Sequence, residues 1–215
     1  MNASPSPDPA AVEPPTQPVR PLVLVHGLWD TPKLFDRLEV LWRQHRPDGE
    51  LFSPHLPHGL GQVPIRELAA QLEAQINARF GAEMPIDVLG FSMGGVVART
   101  WIQERQGYER TRRFISVGSP QQGTLAAQPV PQALFPSIAD MKVGSPLLRD
   151  LGRQGYRLAN LSCHSFYTPT DLTVVPGWRA VLPYGTREAL PVFSHRQLIR
   201  DPRALEPLVA LLRHP

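Results

Sequence analysis

The chain has 215 residues, of which 25 are proline, 16 glycine and one cysteine, with 22 basic against 19 acidic side chains and a net charge of +3. A single cysteine cannot build an internal disulfide framework, no glycine recurs at every third position as collagen requires, and an apolar content of 42% argues against a wholly disordered chain. No apolar run reaches the roughly 18 residues needed to span a bilayer, and Met1 to Arg20 lacks the charged start and apolar stretch of a secretory signal, so a cytoplasmic location without stable membrane insertion is expected.

Seven of the prolines fall in the first 21 residues. Residues 1–20 are therefore expected to form a disordered or extended tail, and 21–215 a single domain. Leu22 to Val25 is a short, continuous apolar run of the kind found in strands buried on both faces. Thr31-Pro32 suits a helix start, with proline at the first helical position. Leu51-Phe52 reads as a second strand, followed by a loop from Ser53 to Gly61. After Pro64, the residues Ile65, Leu68, Leu72, Ile76 and Phe80 form one apolar stripe at helical spacing, closed by Gly81. Ile86 to Leu89 is the next strand and runs into a helix carrying Val96, Val97, Trp101 and Ile102. Strands are then expected at Phe114 to Val117, Leu161 to Tyr167 and Ala189 to Phe193, with a closing helix over Ala204 to Leu212. Between Gly118 and Tyr156 no strand is evident, and Pro120, Pro129, Pro131, Pro136 and Pro146 interrupt the chain. A lid over about 119–156 is expected there, with Leu125, Val130, Leu134, Phe135 and Ile138 on its inner face; a proline-braced surface excursion is the alternative.

Alternation of strands and helices along the whole domain predicts an α/β fold, with a mostly parallel central sheet and helices on both faces. In such sheets reactive groups gather beyond the C-terminal ends of the strands. No dinucleotide-binding glycine pattern occurs. The densest basic stretch, Arg110, Arg112 and Arg113 beside Glu109, reads as a solvated surface, so no nucleic-acid partner is expected.

Gly90-Phe91-Ser92-Met93-Gly94 matches G-x-S-x-G, with an apolar strand entering and an apolar helix leaving. That is the setting of a sharp turn that exposes a nucleophilic serine. A serine hydroxyl needs a base to take its proton, and the base needs a carboxylate to orient it. In this kind of sheet the chain order is serine, acid, histidine. After Ser92 the histidines are His164, His195 and His214. His214 is the penultimate residue and is expected to fray, and His164 lies inside a strand where packing is its expected role. His195 sits on a loop before the last helix and is taken as the base. The acids between them are Glu104, Glu109, Asp140, Asp150, Asp171 and Glu188. Asp171 follows a strand end directly and is preferred, with Asp150 as the fallback; a turn aspartate bonding its own backbone is the bland alternative for Asp171. Two backbone N–H groups would serve a developing oxyanion, those of Met93 and Leu28. His26 is expected to hold the Leu28 loop by hydrogen bonds rather than act as a second base, and Leu28 and Trp29 suggest an apolar acyl-binding wall, with ordinary packing as the alternative.

Taken together, LVLVHGLW (22–29), LGFSMGG (89–95), VGSPQQGT (117–124), YTPTDLTVVP (167–176) and FSHRQL (193–198) resemble the α/β-hydrolase superfamily, in particular its bacterial lipase and esterase group. The resemblance implies hydrolysis of apolar acyl esters by a serine hydrolase through an acyl-enzyme, with a small-molecule or lipid ester as partner, transient contact with a lipid interface, and no organic cofactor. Some lipases of this kind hold structural calcium, but no dedicated acidic cluster is present here, so no metal is carried over. The rival readings are a thioesterase, acyltransferase or perhydrolase using the same residues, and a non-catalytic binding protein of hydrolase shape.

Overall fold

The computed structural model describes residues 19–213. Most of the expected tail, residues 1–18, and His214 lie outside the described residues. Six strands form one sheet: β1 (Leu22–Val25), β2 (Leu51–Phe52), β3 (Ile86–Phe91), β4 (Thr111–Val117), β5 (Ser162–Tyr167) and β6 (Thr186–Ala189). Their spatial order is β2-β1-β3-β4-β5-β6, and every neighbouring pair is parallel. Six α-helices accompany them: α1 (Asp36–His45), α2 (Ile65–Phe80), α3 (Met93–Glu104), α4 (Pro136–Asp140), α5 (Pro146–Arg153) and α6 (Pro202–Arg213).

The two-residue side-chain period of a strand divides the sheet into two cores. Val23 and Val25 of β1 and Ile86 and Val88 of β3 face α2, α3 and α5. Leu22 and Leu24 of β1 and Leu89 and Phe91 of β3 face α1 and α6. This double burial explains why the central strands read as unbroken apolar runs. The apolar stripe of α2 is fully sequestered in the first core. The chain leaves β1 toward β2 on one side and returns to β3 on the other. The C-terminal ends of β1 and β3 therefore flank a topological switch point, where open α/β sheets bind ligands.

Two expectations change. The last strand is Thr186–Ala189, not Ala189 to Phe193; it is an exposed edge strand paired with β5 through His164–Thr186 to Tyr167–Ala189. The apolar residues that suggested a later strand, Leu190 and Val192, are instead buried anchors of the loop that follows, which turns back at Val192 N–H donating to Leu190 O (2.8 Å). Of the arginine stretch only Arg112 is exposed, since Arg110 and Arg113 are buried. Arg110 donates to the carbonyls of Gly81 (2.7 Å) and Met84 (2.9 Å) and to Asn77 Oδ1 (3.0 Å), satisfying the C-terminal end of α2. In the 119–156 segment, Leu125 and Leu134 face solvent. That segment is tied to its surroundings by many hydrogen bonds; on the α2 side, Ser137 Oγ donates to Gly61 O (3.0 Å) and the Asp140 carboxylate accepts the Ile65 N–H (3.0 Å). Pro64 precedes α2 and has no side-chain acceptor, so Asp140 supplies the negative cap from a distance. Among the described residues no helix is long and apolar enough to cross a membrane.

Candidate active site

Ser92 stands between β3 and α3 with φ 54° and ψ −130°, a backbone conformation that non-glycine residues avoid. The turn survives because its neighbours lack side chains. A Cβ on Gly94 would lie 2.1 Å from Val25 O, and one on Gly90 would lie 2.4 Å from Gly95 Cα. The Ser92 N–H donates to Val117 O (2.9 Å), tying the turn to β4.

Asp171 and His195 meet. His195 Nδ1 donates to Asp171 Oδ2 at 2.7 Å, with both side chains largely shielded from solvent. The other oxygen, Oδ1, accepts the N–H groups of Thr173 (2.8 Å) and Val174 (3.1 Å). The carboxylate thus makes the local turn bonds of an ordinary loop aspartate and holds the imidazole as well. Thr168 Oγ1 donates to Val192 O and Thr170 Oγ1 to Phe193 O (3.0 Å), so the acid's loop is stitched to the histidine's. Phe91 supports the imidazole face, its ring 4.8 Å from that of His195 between centroids. His195 Nε2 is buried and has no hydrogen-bond partner among the described residues. Ser92 and His195 line one cleft of about 230 Å³ with Leu28, Trp29, Pro120 and Met141. The serine–histidine hydrogen bond itself is not formed. Such contacts are often long before substrate binds.

The remaining sequence candidates lie elsewhere. Asp150 is engaged by Arg66 (2.8 Å) and Arg153 (3.0 Å), which hold its carboxylate below the usual range, chiefly through the Arg66 hydrogen bond. Asp140 caps α2. His164 is not a packing residue as expected: Nδ1 pairs with Thr186 Oγ1 (2.7 Å) and Nε2 with Ser162 Oγ (2.8 Å) on the sheet edge. Cys163 is buried, and burial pushes its thiol up to about 12, so it is no nucleophile at neutral pH. None of the five apolar residues expected on a lid's inner face lines this cleft; Pro120, Thr124 and Met141 are the segment's contribution.

The N–H groups of Leu28 and Met93 donate to nothing among the described residues, the second being the first residue of α3. Histidines set the Leu28 loop. His26 Nδ1 donates to Gly27 O (3.0 Å) and Nε2 accepts the Leu56 N–H (3.1 Å), a pairing that requires the neutral ring. His58 Nε2 accepts the N–H of Trp29 (3.0 Å), a residue at φ 60°. Burial is the main cause that lowers both imidazoles below the ordinary histidine value. The part played by His58 was not apparent in the sequence, although its position in His55-Leu56-Pro57-His58, after the second strand, was the available signal. Arg196, next to His195, reaches Asp30 across the cleft mouth (2.9 Å). Among the described residues no group of three His, Cys, Asp or Glu side chains could hold a metal ion.

Comparisons with known proteins bear on this geometry. No curated protein matches the sequence. Among solved structures, Aspergillus fumigatus lipase B aligns at TM-score 0.73 and 18% identity over 91% of this chain and 53% of its own, so the chain spans about half of that protein's length. The mature form of Bacillus licheniformis lipase BlEst2 aligns at TM-score 0.68 and 17% identity over 94% of this chain and 96% of its own. A Paleococcus ferrophilus monoacylglycerol lipase aligns at TM-score 0.64 and 13% identity over 91% and 96%. At these identities the likeness establishes the fold, that of the α/β-hydrolases. A sequence model of the palmitoyl protein thioesterase family matches residues 21–172, most of the chain and the stretch that holds both Ser92 and Asp171. The chain belongs to the palmitoyl protein thioesterase family, hydrolases built on the α/β-hydrolase fold.

Proposed function

We propose that the protein is a serine hydrolase that cleaves apolar acyl esters through an acyl-enzyme intermediate. One observation carries the reading: an Asp171–His195 pair leaves a buried, unpartnered Nε2 in the same cleft as a serine held on a strained strand-to-helix turn. In this reading Ser92 Oγ attacks the acyl carbonyl while His195 Nε2 takes its proton, Asp171 holding the ring in the tautomer that leaves Nε2 free to accept. The oxyanion is met by the Leu28 and Met93 N–H groups, which are free to donate. His195 then protonates the leaving group, and a water activated by the same nitrogen hydrolyses the acyl-serine.

The cleft walls support an apolar acyl group, with Leu28, Trp29, Phe91 and Met141 among them. Trp29, Leu125, Leu172 and Phe193, each within two residues of a cleft residue or of Asp171, are 51–86% exposed. Such an apolar rim supports transient contact with a lipid surface. Thioester cleavage is the second reading, favoured by the family match.

The test is a fluorophosphonate probe together with a chain-length series of matched oxygen esters and thioesters. Labelling of the wild type and its loss in Ser92→Ala support the nucleophile; equal labelling of both, or of neither, overturns it. The ratio of kcat/KM values for oxygen esters and thioesters decides between the two substrate classes.

A further inference from the structure

A second cleft, of about 260 Å³, is bordered by Gln121 of the 119–124 loop and walled by Arg99, Leu148, Arg149, Gly152 and Pro183 among others. Arg99 belongs to α3, about two turns beyond Ser92. It is 3% exposed. Its Nε donates to Gln103 Oε1 (2.6 Å), and Nη1 donates to Gln121 O (2.9 Å) and Gln121 Oε1 (3.4 Å). Nη2 finds no acceptor among the described residues. Every partner is neutral. Burial lowers this guanidinium to about 10, so it still carries its charge at neutral pH.

A buried cation ordinarily faces a carboxylate, because removing it from water is costly without one. The nearby acids are committed elsewhere. Glu104 is bound to Arg66 at 2.8 Å, Asp150 to Arg66 and Arg153, and Asp140 to the Ile65 N–H. The Cys163 thiol, pushed up to about 12, is neutral beside it. The amides in the wall are also used: Gln121 Nε2 donates to Ser116 Oγ (3.0 Å) and Gln122 Nε2 to Val181 O (3.0 Å). The other cation of the wall, Arg149, is exposed on α5, and its side chain makes no hydrogen bond or ion pair among the described residues. Two arginines and no carboxylate line the cleft, although the charge of Arg149 also acts on the neighbouring Asp150.

We infer that this cleft is a second ligand site, which takes an oxyanion, a carboxylate or a phosphate, between Arg99 Nη2 and the guanidinium of Arg149. Guanidinium is the side chain best shaped for such groups, donating two parallel N–H bonds to one oxyanion. The site reports to the catalytic cleft through one loop. Gln121, which Arg99 holds by both its backbone and side-chain oxygens, directly follows Pro120, a wall residue of the Ser92 cleft.

Isothermal titration calorimetry of the full chain with inorganic phosphate, and separately with acetate, at fixed ionic strength tests the inference. Saturable binding of at least one anion is expected in the wild type, with a concentration-dependent rise in Tm. In Arg149→Ala the affinity should fall about tenfold, the loss expected for one charge-assisted hydrogen bond. Binding should vanish in Arg99→Gln. Should that variant not fold, Gly152→Phe serves instead: a Cβ there meets nothing within 4 Å, so the ring can fill the cleft without removing either charge. Hydrolysis without added anion should be unchanged in Arg149→Ala and Gly152→Phe. Failure of both anions to saturate the wild type, or equal affinity in wild type, Arg149→Ala and Gly152→Phe, overturns the site whatever becomes of the ester hydrolase reading.

Discussion

Replacing Asp171 by asparagine separates the two jobs of one carboxylate. Oδ1 accepts two backbone N–H groups at 2.8 and 3.1 Å, and the amide oxygen of asparagine can keep both. The amide nitrogen would then occupy the place of Oδ2, 2.7 Å from His195 Nδ1, where two donors would confront one another. The imidazole escapes by moving its proton to Nε2, the atom that the proposed mechanism needs bare to accept the serine proton. Loss of the correct tautomer in this way lowers kcat about 10⁴-fold in serine proteases, or about 5.4 kcal/mol of barrier. Stability should hardly change. Asp171→Ala, by contrast, also removes the two turn bonds, at about 1 kcal/mol each, and should lower Tm by roughly 4–8 °C for a domain of this size. Turnover of a p-nitrophenyl ester together with thermal melts of both variants is the assay. Activity in Asp171→Asn within tenfold of wild type would refute the assignment, and Asp150→Asn should be indistinguishable from wild type in turnover.

Two further outcomes follow from the same geometry. Gly94→Ala drives a methyl group to 2.1 Å from the Val25 carbonyl; since only backbone movement relieves this, stability should fall by about 3 kcal/mol or more, visible as a Tm drop of roughly 6 °C or more, and an unchanged melt would count against the close packing of α3 on β1. Acid should loosen the Leu28 loop: His26 and His58 accept backbone N–H groups only when neutral, they face one another, His55 and Asp30, and burial holds both below the ordinary value of 6.5. The unfolded chain then binds more protons than the native one below pH 6.5, so stability is complete above that pH and is lost as pH falls toward the depressed native values. His58→Gln, which can still accept the Trp29 N–H but does not titrate, should lose less Tm than wild type between pH 7 and pH 5; equal losses would exclude His58 as a contributor.

The sheet was readable from sequence because its central strands are buried on both faces and so announce themselves as apolar runs. The strained turn at Ser92 was readable because it admits only glycine at nearby positions, and the Asp171–His195 contact because chain order leaves few candidates. What escaped has a common physical cause. The edge strand Thr186–Ala189 is exposed, so no burial pattern marks it, while the apolar residues that mimicked a strand anchor the following loop. Arg99, Arg110 and Arg113 look like surface charges by composition, yet long-range carbonyl and amide acceptors make their burial tolerable. The contact of His58 with Trp29 joins residues 29 positions apart and leaves no local periodicity to read.

The packing around Gly27 and Gly94 makes the two walls of the Ser92 cleft rigid in different ways. A Cβ on Gly27 would lie 2.9 Å from that of Ser92, and one on Gly94 would strike the carbonyls of Val25 and His26. The serine turn and the Leu28 loop are thereby one casting, in which neither piece can shift without the other. Pro120, Thr124, Thr173 and Val174, on the opposite wall, come from loops tied to each other by hydrogen bonds instead, Thr124 Oγ1 donating to Thr173 O and accepting the Val175 N–H, each at 2.9 Å. Because these ties use the Thr124 hydroxyl and main-chain atoms of 173–175, side chains at Pro120, Thr173 and Val174 can change while the ties stay, so under the proposed function a search for altered acyl selectivity belongs at those three positions.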